Sequence, residues 1–181
     1  GSEYKYDWGH YLTKTFSSST KGHLSNFGLF ANAGYKLNEN QIISFYARND
    51  DHRETGGNKT YKINFTQYLG KLKFGLTHST GLKNASLYEL YGNIGQKNIN
   101  PEKSNTKEIF SEYNLLENFK ITSTAYRTNI KDRIKIKSDW SAYENKEADT
   151  TQEGLESEIK FFGDKQSVSL VSHFAKSRTD T

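Results

Sequence analysis

Apolar residues recur at every second position along most of this chain, and that period excludes helices as its main elements. From Phe27 the odd positions read Phe27, Leu29, Ala31, Ala33, Tyr35 and Leu37, with polar residues or Gly between them except at Phe30. Tyr61, Ile63 and Phe65 alternate with Lys62 and Asn64, and Leu72, Phe74 and Leu76 alternate with Lys73 and Gly75. Phe119 and Ile121, Ile134 and Ile136, then Leu155, Ile159 and Phe161, and finally Val168, Leu170 and Phe174 continue the scheme. One apolar and one polar face per strand means an antiparallel sheet with a single wet side. We expect an all-β antiparallel meander of about eight to ten strands. The expected spans are 3–16, 26–37, 41–49, 59–69, 71–79, 105–115, 118–137, 142–162 and 166–176. Phe27, Leu29, Tyr35, Ile63, Phe65, Leu72, Phe74, Leu76, Phe119 and Ile121 should share one side of the sheet, and any helix should fall within 79–104.

The connections alternate in length. Short ones fall at Leu37–Gln41, Leu69–Gly70, Leu115–Asn118 and Phe162–Lys165, and long ones at Ser17–Ser25, Asn49–Asn58 and Ser79–Asn105. Short turns at one end and long loops at the other are the habit of a transmembrane β-barrel. No apolar run is long enough for a membrane helix, but a barrel hides its apolar residues on alternate positions, so the mean hydropathy of −0.87 is compatible with one.

Composition narrows the chemistry. The chain has no Cys, which removes disulfides and thiolate metal sites. It has no Met, and Gly1-Ser2 reads as a cloning scar, leaving 3–181 for the fold. The net charge of +4 is spread among acids rather than gathered in a stripe, so we expect no nucleic-acid partner. His10, His23, His52, His78 and His173 sit on separate segments without metal-ligand spacing. His52, beside Asp50, Asp51 and Glu54, reads as part of a solvated charged loop, and Glu156 with Glu158 as one polar strand face. We therefore expect no enzyme, no metal and no cofactor. What remains is binding. The Ser79–Asn105 loop carries Tyr88, Tyr91, Asn93 and Asn98 with Gly92 and Gly95, and aromatic faces plus amides suit a large polar ligand.

That loop also carries an ordered pair of motifs. Thr80, Gly81, Leu87, Glu89, Leu90, Tyr91 and Gly92, followed by Pro101, Glu102, Ser104 and Glu108, match Thr-Gly-Phe-x-Ala-Pro-x-Leu-x-Glu-Leu-Tyr-Gly and the return Asn-Pro-x-Leu-x-Pro-Glu-x-Ser with a later Glu. Leu82 replaces the Phe, and Ala85-Ser86 replaces Ala-Pro. Ala125 to Ile134, Tyr143-x-Asn145, Ala148 and Gly154-x-Glu156 match further strand motifs. In these positions the chain resembles TonB-dependent outer-membrane transporters, most closely their cobalamin-receptor-like branch, over about Ile42 to Lys176.

The resemblance implies a partial barrel, cut from one of about 22 strands, in the outer membrane of a Gram-negative bacterium. It implies lipid around the barrel, a plug domain and TonB in the full-length parent, and cobalamin or a ferric siderophore as the imported ligand. The piece alone would not transport, and its cut edges would invite self-association. Tyr88, Glu89, Tyr91, Asn93 and Asn98 are the implied ligand-facing loop residues, with Leu87 and Leu90 as wall anchors. Pro101 should aim the chain back into a strand, and Glu108 should point into a polar lumen. The rival reading is a free-standing small porin-like or lipocalin-like binding barrel. An outer-membrane enzyme would need a Ser-His-acid set, which is not evident.

Overall fold

The computed structural model describes residues 1–13 and 18–179. In chain order the elements are β1 (Ser2–Thr13), β2 (Ser18–Asn38), β3 (Gln41–His52), β4 (Gly56–Leu69), β5 (Leu72–Lys83), α1 (Leu87–Tyr91), β6 (Glu102–Leu116), β7 (Phe119–Lys131), β8 (Ile134–Ile136), β9 (Tyr143–Asn145), β10 (Thr150–Phe162) and β11 (Ser167–Thr179). Nine strands form one antiparallel meander in the order β1-β2-β3-β4-β5-β6-β7-β10-β11, and β8 pairs with β9 as a separate hairpin. Among the described residues β1 and β11 each pair on one side only, so the sheet is an open section of a barrel.

Register carries the period-two pattern across the whole sheet. Tyr35 faces Ile43, Ile43 faces Phe65, Phe65 faces Leu76, and the row continues through Ile109, Ala125 and Leu155 to Phe174. All ten apolar residues named above fall on this one face. Nothing among the described residues covers it: Leu29 is 50% exposed, Leu76 52% and Leu170 69%. Burying each such side chain is worth about 1.5–3 kcal/mol, so a face this large in water is untenable and lipid is the solvent that suits it. One row interrupts it, where Ser111, Ser123, Ser157 and Ser172 stand in register and Ser123 and Ser157 share a hydrogen bond of 3.0 Å.

On the polar face, rings lie over glycines of the next strand. The Tyr126 ring sits where a Cβ on Gly154 would stand, 2.6 Å away, and Phe110 does the same at Gly75. A side chain at either glycine would displace the ring, which is why the Gly154-x-Glu156 motif needs its glycine.

Three expectations need correction. Ser17–Ser25 and Asn49–Asn58 are not long loops. From Ser18 the chain is already strand β2, paired from Thr13↔Ser18 to Tyr6↔Ser25, and β3 and β4 are joined by a three-residue turn at 53–55. These polar stretches give no apolar alternation because β2 overhangs β3, which meets it only from Asn26↔His52 onward. Strands over 118–137 and 142–162 are also not continuous. The chain leaves the sheet at Asp132, whose φ of 54° breaks the extended backbone, and β8 and β9 form the excursion. Ile134-Lys135-Ile136 keeps the alternation of a strand, so the pattern could not reveal the break.

The turns at 39–40, 70–71, 117–118 and 163–166 lie at one end of the sheet, and the three-residue 53–55 turn lies at the other. The 84–101 loop and the 132–149 excursion share that second end. The core is there too: Leu24, Ala85, Leu90, Ile99 and Ile134 are buried together, with Leu87, Tyr91 and Tyr143 packed against them.

Candidate ligand-facing rim

The 84–101 loop is built around α1. Ser86 is its N-cap: the Ser86 hydroxyl accepts from the Glu89 N–H at 3.3 Å, and the Glu89 carboxylate accepts from the Ser86 N–H at 2.7 Å. This capping box satisfies donors that a five-residue helix cannot satisfy itself. It also occupies Glu89, which the resemblance offered to ligand. Leu90 is buried, and Leu87 is half-buried beside it, so both leucines anchor the loop. Gly92 ends the helix with its N–H donating to the Tyr88 carbonyl at 2.8 Å, and a Cβ there would meet the Tyr88 ring at 2.8 Å.

Tyr91 ties the loop to two other elements. Its ring packs against Gly22 on the β2 overhang, and its hydroxyl donates to Glu54 in the β3–β4 turn at 2.6 Å. The Glu54 carboxylate, helped by burial, holds the Tyr91 phenol above its ordinary value. Lys97 lies 5.3 Å from the ring centre. Tyr91 therefore acts as an anchor.

A second set of latches joins the loop to the β8–β9 hairpin. The Asn145 side chain accepts from the Asn100 N–H at 2.8 Å and donates to the carbonyls of Asn100 at 2.9 Å and Asp132 at 2.6 Å. The Tyr143 N–H donates to the Ile94 carbonyl at 3.0 Å. Glu102 accepts from Lys83 and from the Ile134 N–H, each at 3.0 Å. Pro101 is buried between these bonds and precedes β6 directly, as its fixed φ suggests. Burial raises the Tyr143 phenol as well, with Glu89 and Tyr88 adding to it.

Tyr88, Asn93 and Asn98 remain outward. Tyr88 is 43% exposed and meets the Tyr143 ring edge-on at 6.3 Å, and both asparagines are exposed. Beneath the loop, a cleft of about 580 Å³ opens on the polar face, with Asn26, His52, Asn84 and Ser86 in its wall. His52 is buried at the end of β3, which overturns its reading as part of a solvated loop. Its Nδ1 accepts from the Glu54 and Thr55 N–H groups, both at 3.3 Å, so the neutral ring carries its proton on Nε2. Asn26 donates to Asp50 at 2.7 Å, and Arg48 grips the same carboxylate with two bonds of 2.7 Å.

The remaining motif residues are not at the rim. Glu108 lies on the polar face between Thr77 and Tyr126, and Glu156 lies on that face beside His173, at 3.6 Å. Gly81 lets Ser104 approach across the β5–β6 pair. Among the described residues no cluster of three or more His, Asp or Glu side chains could hold a metal ion. Sequence reasoning missed two ties between the β3–β4 turn and the loop, Glu54 to Tyr91 and the Thr55 hydroxyl donating to the Asn84 side chain at 3.0 Å, because neither Glu54 nor Asn84 is a matched motif position.

The family described as TonB dependent receptor-like, beta-barrel matches residues 2–178. No curated protein matches the chain. Among solved structures, the siderophore receptor PirA from Pseudomonas aeruginosa is similar with a TM-score of 0.76 at 20% identity, over 88% of this chain and 34% of that one. The FrpB iron transporter from Neisseria meningitidis gives 0.69 at 15% identity, over 90% and 27%. The ferric-catecholate import receptor Fiu from E. coli K12 gives 0.64 at 12% identity, over 97% and 34%. The chain thus spans 27–34% of these structures' length, with the same fold.

Proposed function

This chain belongs to the TonB dependent receptor-like β-barrel family, and from that premise we propose that it is a section of receptor wall whose outer rim captures a large polar nutrient for import. Proteins of this family are outer-membrane receptors and transporters of Gram-negative bacteria, not enzymes. The solved relatives favour a ferric siderophore as cargo. The motif pair Thr80–Gly92 and Pro101–Glu108 keeps cobalamin as a second ligand to test. Residues 3–181 would supply about two-fifths of the strands of a barrel of about 22, with Gly1-Ser2 as a cloning scar. The plug and TonB of the parent would then drive release inward. Further strands would cover the edges of β1 and β11, which in the isolated chain would pair with other copies.

One observation carries the reading: the loop is held by Leu90, Tyr91, Glu102 and Asn145, while Tyr88, Asn93 and Asn98 are left outward on a rigid frame. Preorganised aromatic and amide groups bind a bulky polar chelate without the entropy cost of ordering a loop. The test uses the full-length receptor with a ferric catecholate, a ferric hydroxamate and cobalamin. Deleting Tyr88–Asn98 should weaken binding of one of them with barrel assembly intact. Unchanged affinity for all three would reduce the loop to a wall anchor.

A further inference from the structure

We infer that the outward face of β4–β7 carries a binding site for an anionic membrane lipid, one whose headgroup phosphate is not balanced by a cation of its own: an apolar groove for acyl chain below a row of cations for the headgroup phosphate. The groove has a volume of about 650 Å³ and is lined by Ile63, Phe65, Leu76, Ile109 and Ala125. It exists because Ala125 stands in register between Ile109 and Leu155, with the short Ser111 and Ser123 in the next row down. A bulky side chain at Ala125 would fill it.

The register row above it reads Ile63, His78, Lys107, Arg127, Glu153 and Lys176. Lys103, Lys131 and Arg178 stand on the same face farther out. On this face the acids at the outer ends of these strands are Glu153, which pairs with Arg127 at 3.5 Å and Lys176 at 3.0 Å, and Asp149, which pairs with Lys131 at 3.6 Å. Lys107 makes no ion pair among the described residues. The border of the groove is therefore positive, and its complement is an anion attached to an apolar chain.

Depth agrees with this. Lys107 stands ten residues along β6 from the turn residue Glu117. At about 3.3 Å per residue and a tilt of about 40°, that is a rise of about 25 Å, the height of the apolar band of an outer-membrane barrel. Lys107 and Arg127 thus meet the headgroup level of the outer leaflet, with the groove just inside the hydrocarbon. The inference rests on outer-membrane placement of the sheet and is independent of the nutrient carried.

The test is native mass spectrometry of the full-length receptor in neutral detergent, with phosphatidylglycerol, phosphatidylcholine of the same chains, and inorganic phosphate as probes. The wild type should retain phosphatidylglycerol in preference to phosphatidylcholine. At about a decade per 1.4 kcal/mol, and about 1 kcal/mol for each cation near the headgroup, K107Q/R127Q should lower that preference about thirtyfold. A125F should release both lipids, and inorganic phosphate should displace neither. Heat-modified gel mobility checks that each variant is folded, and insertion into vesicles checks membrane placement separately. Equal retention of the two lipids by the wild type, an unchanged preference in K107Q/R127Q, full retention by A125F, or displacement by phosphate alone would each overturn the site.

Discussion

Asn145→Ala should unlatch the rim without touching the barrel. The side chain makes three hydrogen bonds, two to the backbone of Asn100 and one to the Asp132 carbonyl. A net contribution of about 0.5–1.5 kcal/mol per bond, reduced where water can replace the lost partner, gives a loss of about 2 kcal/mol. That loss falls on local opening of the loop and hairpin, because β6 and β7 keep their own ladder. Hydrogen exchange reads it directly: 2 kcal/mol corresponds to about thirtyfold faster exchange of the Asn100 amide, with Ile134 and Tyr143 following and mid-β6 amides unchanged. Asn145→Asp, which keeps the acceptor for the Asn100 N–H and loses both donors, should fall between. Unaltered Asn100 exchange in the Ala variant would refute the latch.

Gly154→Ala should lower the melting temperature in detergent by overpacking the Tyr126 ring, at a cost of about 1–3 kcal/mol, and adding Tyr126→Ala should recover part of it; additive losses would disprove the contact. The Tyr91–Glu54 bond raises the Tyr91 pKa, so its stabilisation is complete below the ordinary phenol value of 10.0 and is lost as pH rises through the raised value. Melting curves from pH 8 upward should therefore show an alkaline loss that Tyr91→Phe removes; an identical alkaline slope in both proteins would exclude that origin. Phe65→Arg, on the apolar face five residues from the Gly70 turn, should cost about 2–4 kcal/mol and cut folding yield into liposomes, and wild-type yield would argue against lipid contact.

Period two sufficed to read the sheet. Side chains alternate across a strand, so Phe27, Phe65, Leu76 and Ile121 announced one face, and the short turns announced one end. The motif pair located the loop and named Tyr91 and Glu102, the further Tyr143-x-Asn145 match named Asn145, and the loop's aromatic and amide content named Tyr88. The resemblance assigned Tyr88, Glu89, Tyr91, Asn93 and Asn98 alike to the ligand-facing side and did not separate them. That division came from tertiary structure: Ser86 claims Glu89, Glu54 claims Tyr91, and Asn145 reaches across 45 residues to Asn100. His52 is buried by the same long-range contacts, although its neighbours in sequence are acidic. A local pattern records which way each side chain leaves its own strand. Which distant group meets it depends on register, strand overhang and the path of the 84–101 and 132–149 segments, and these are settled only when the sheet is assembled.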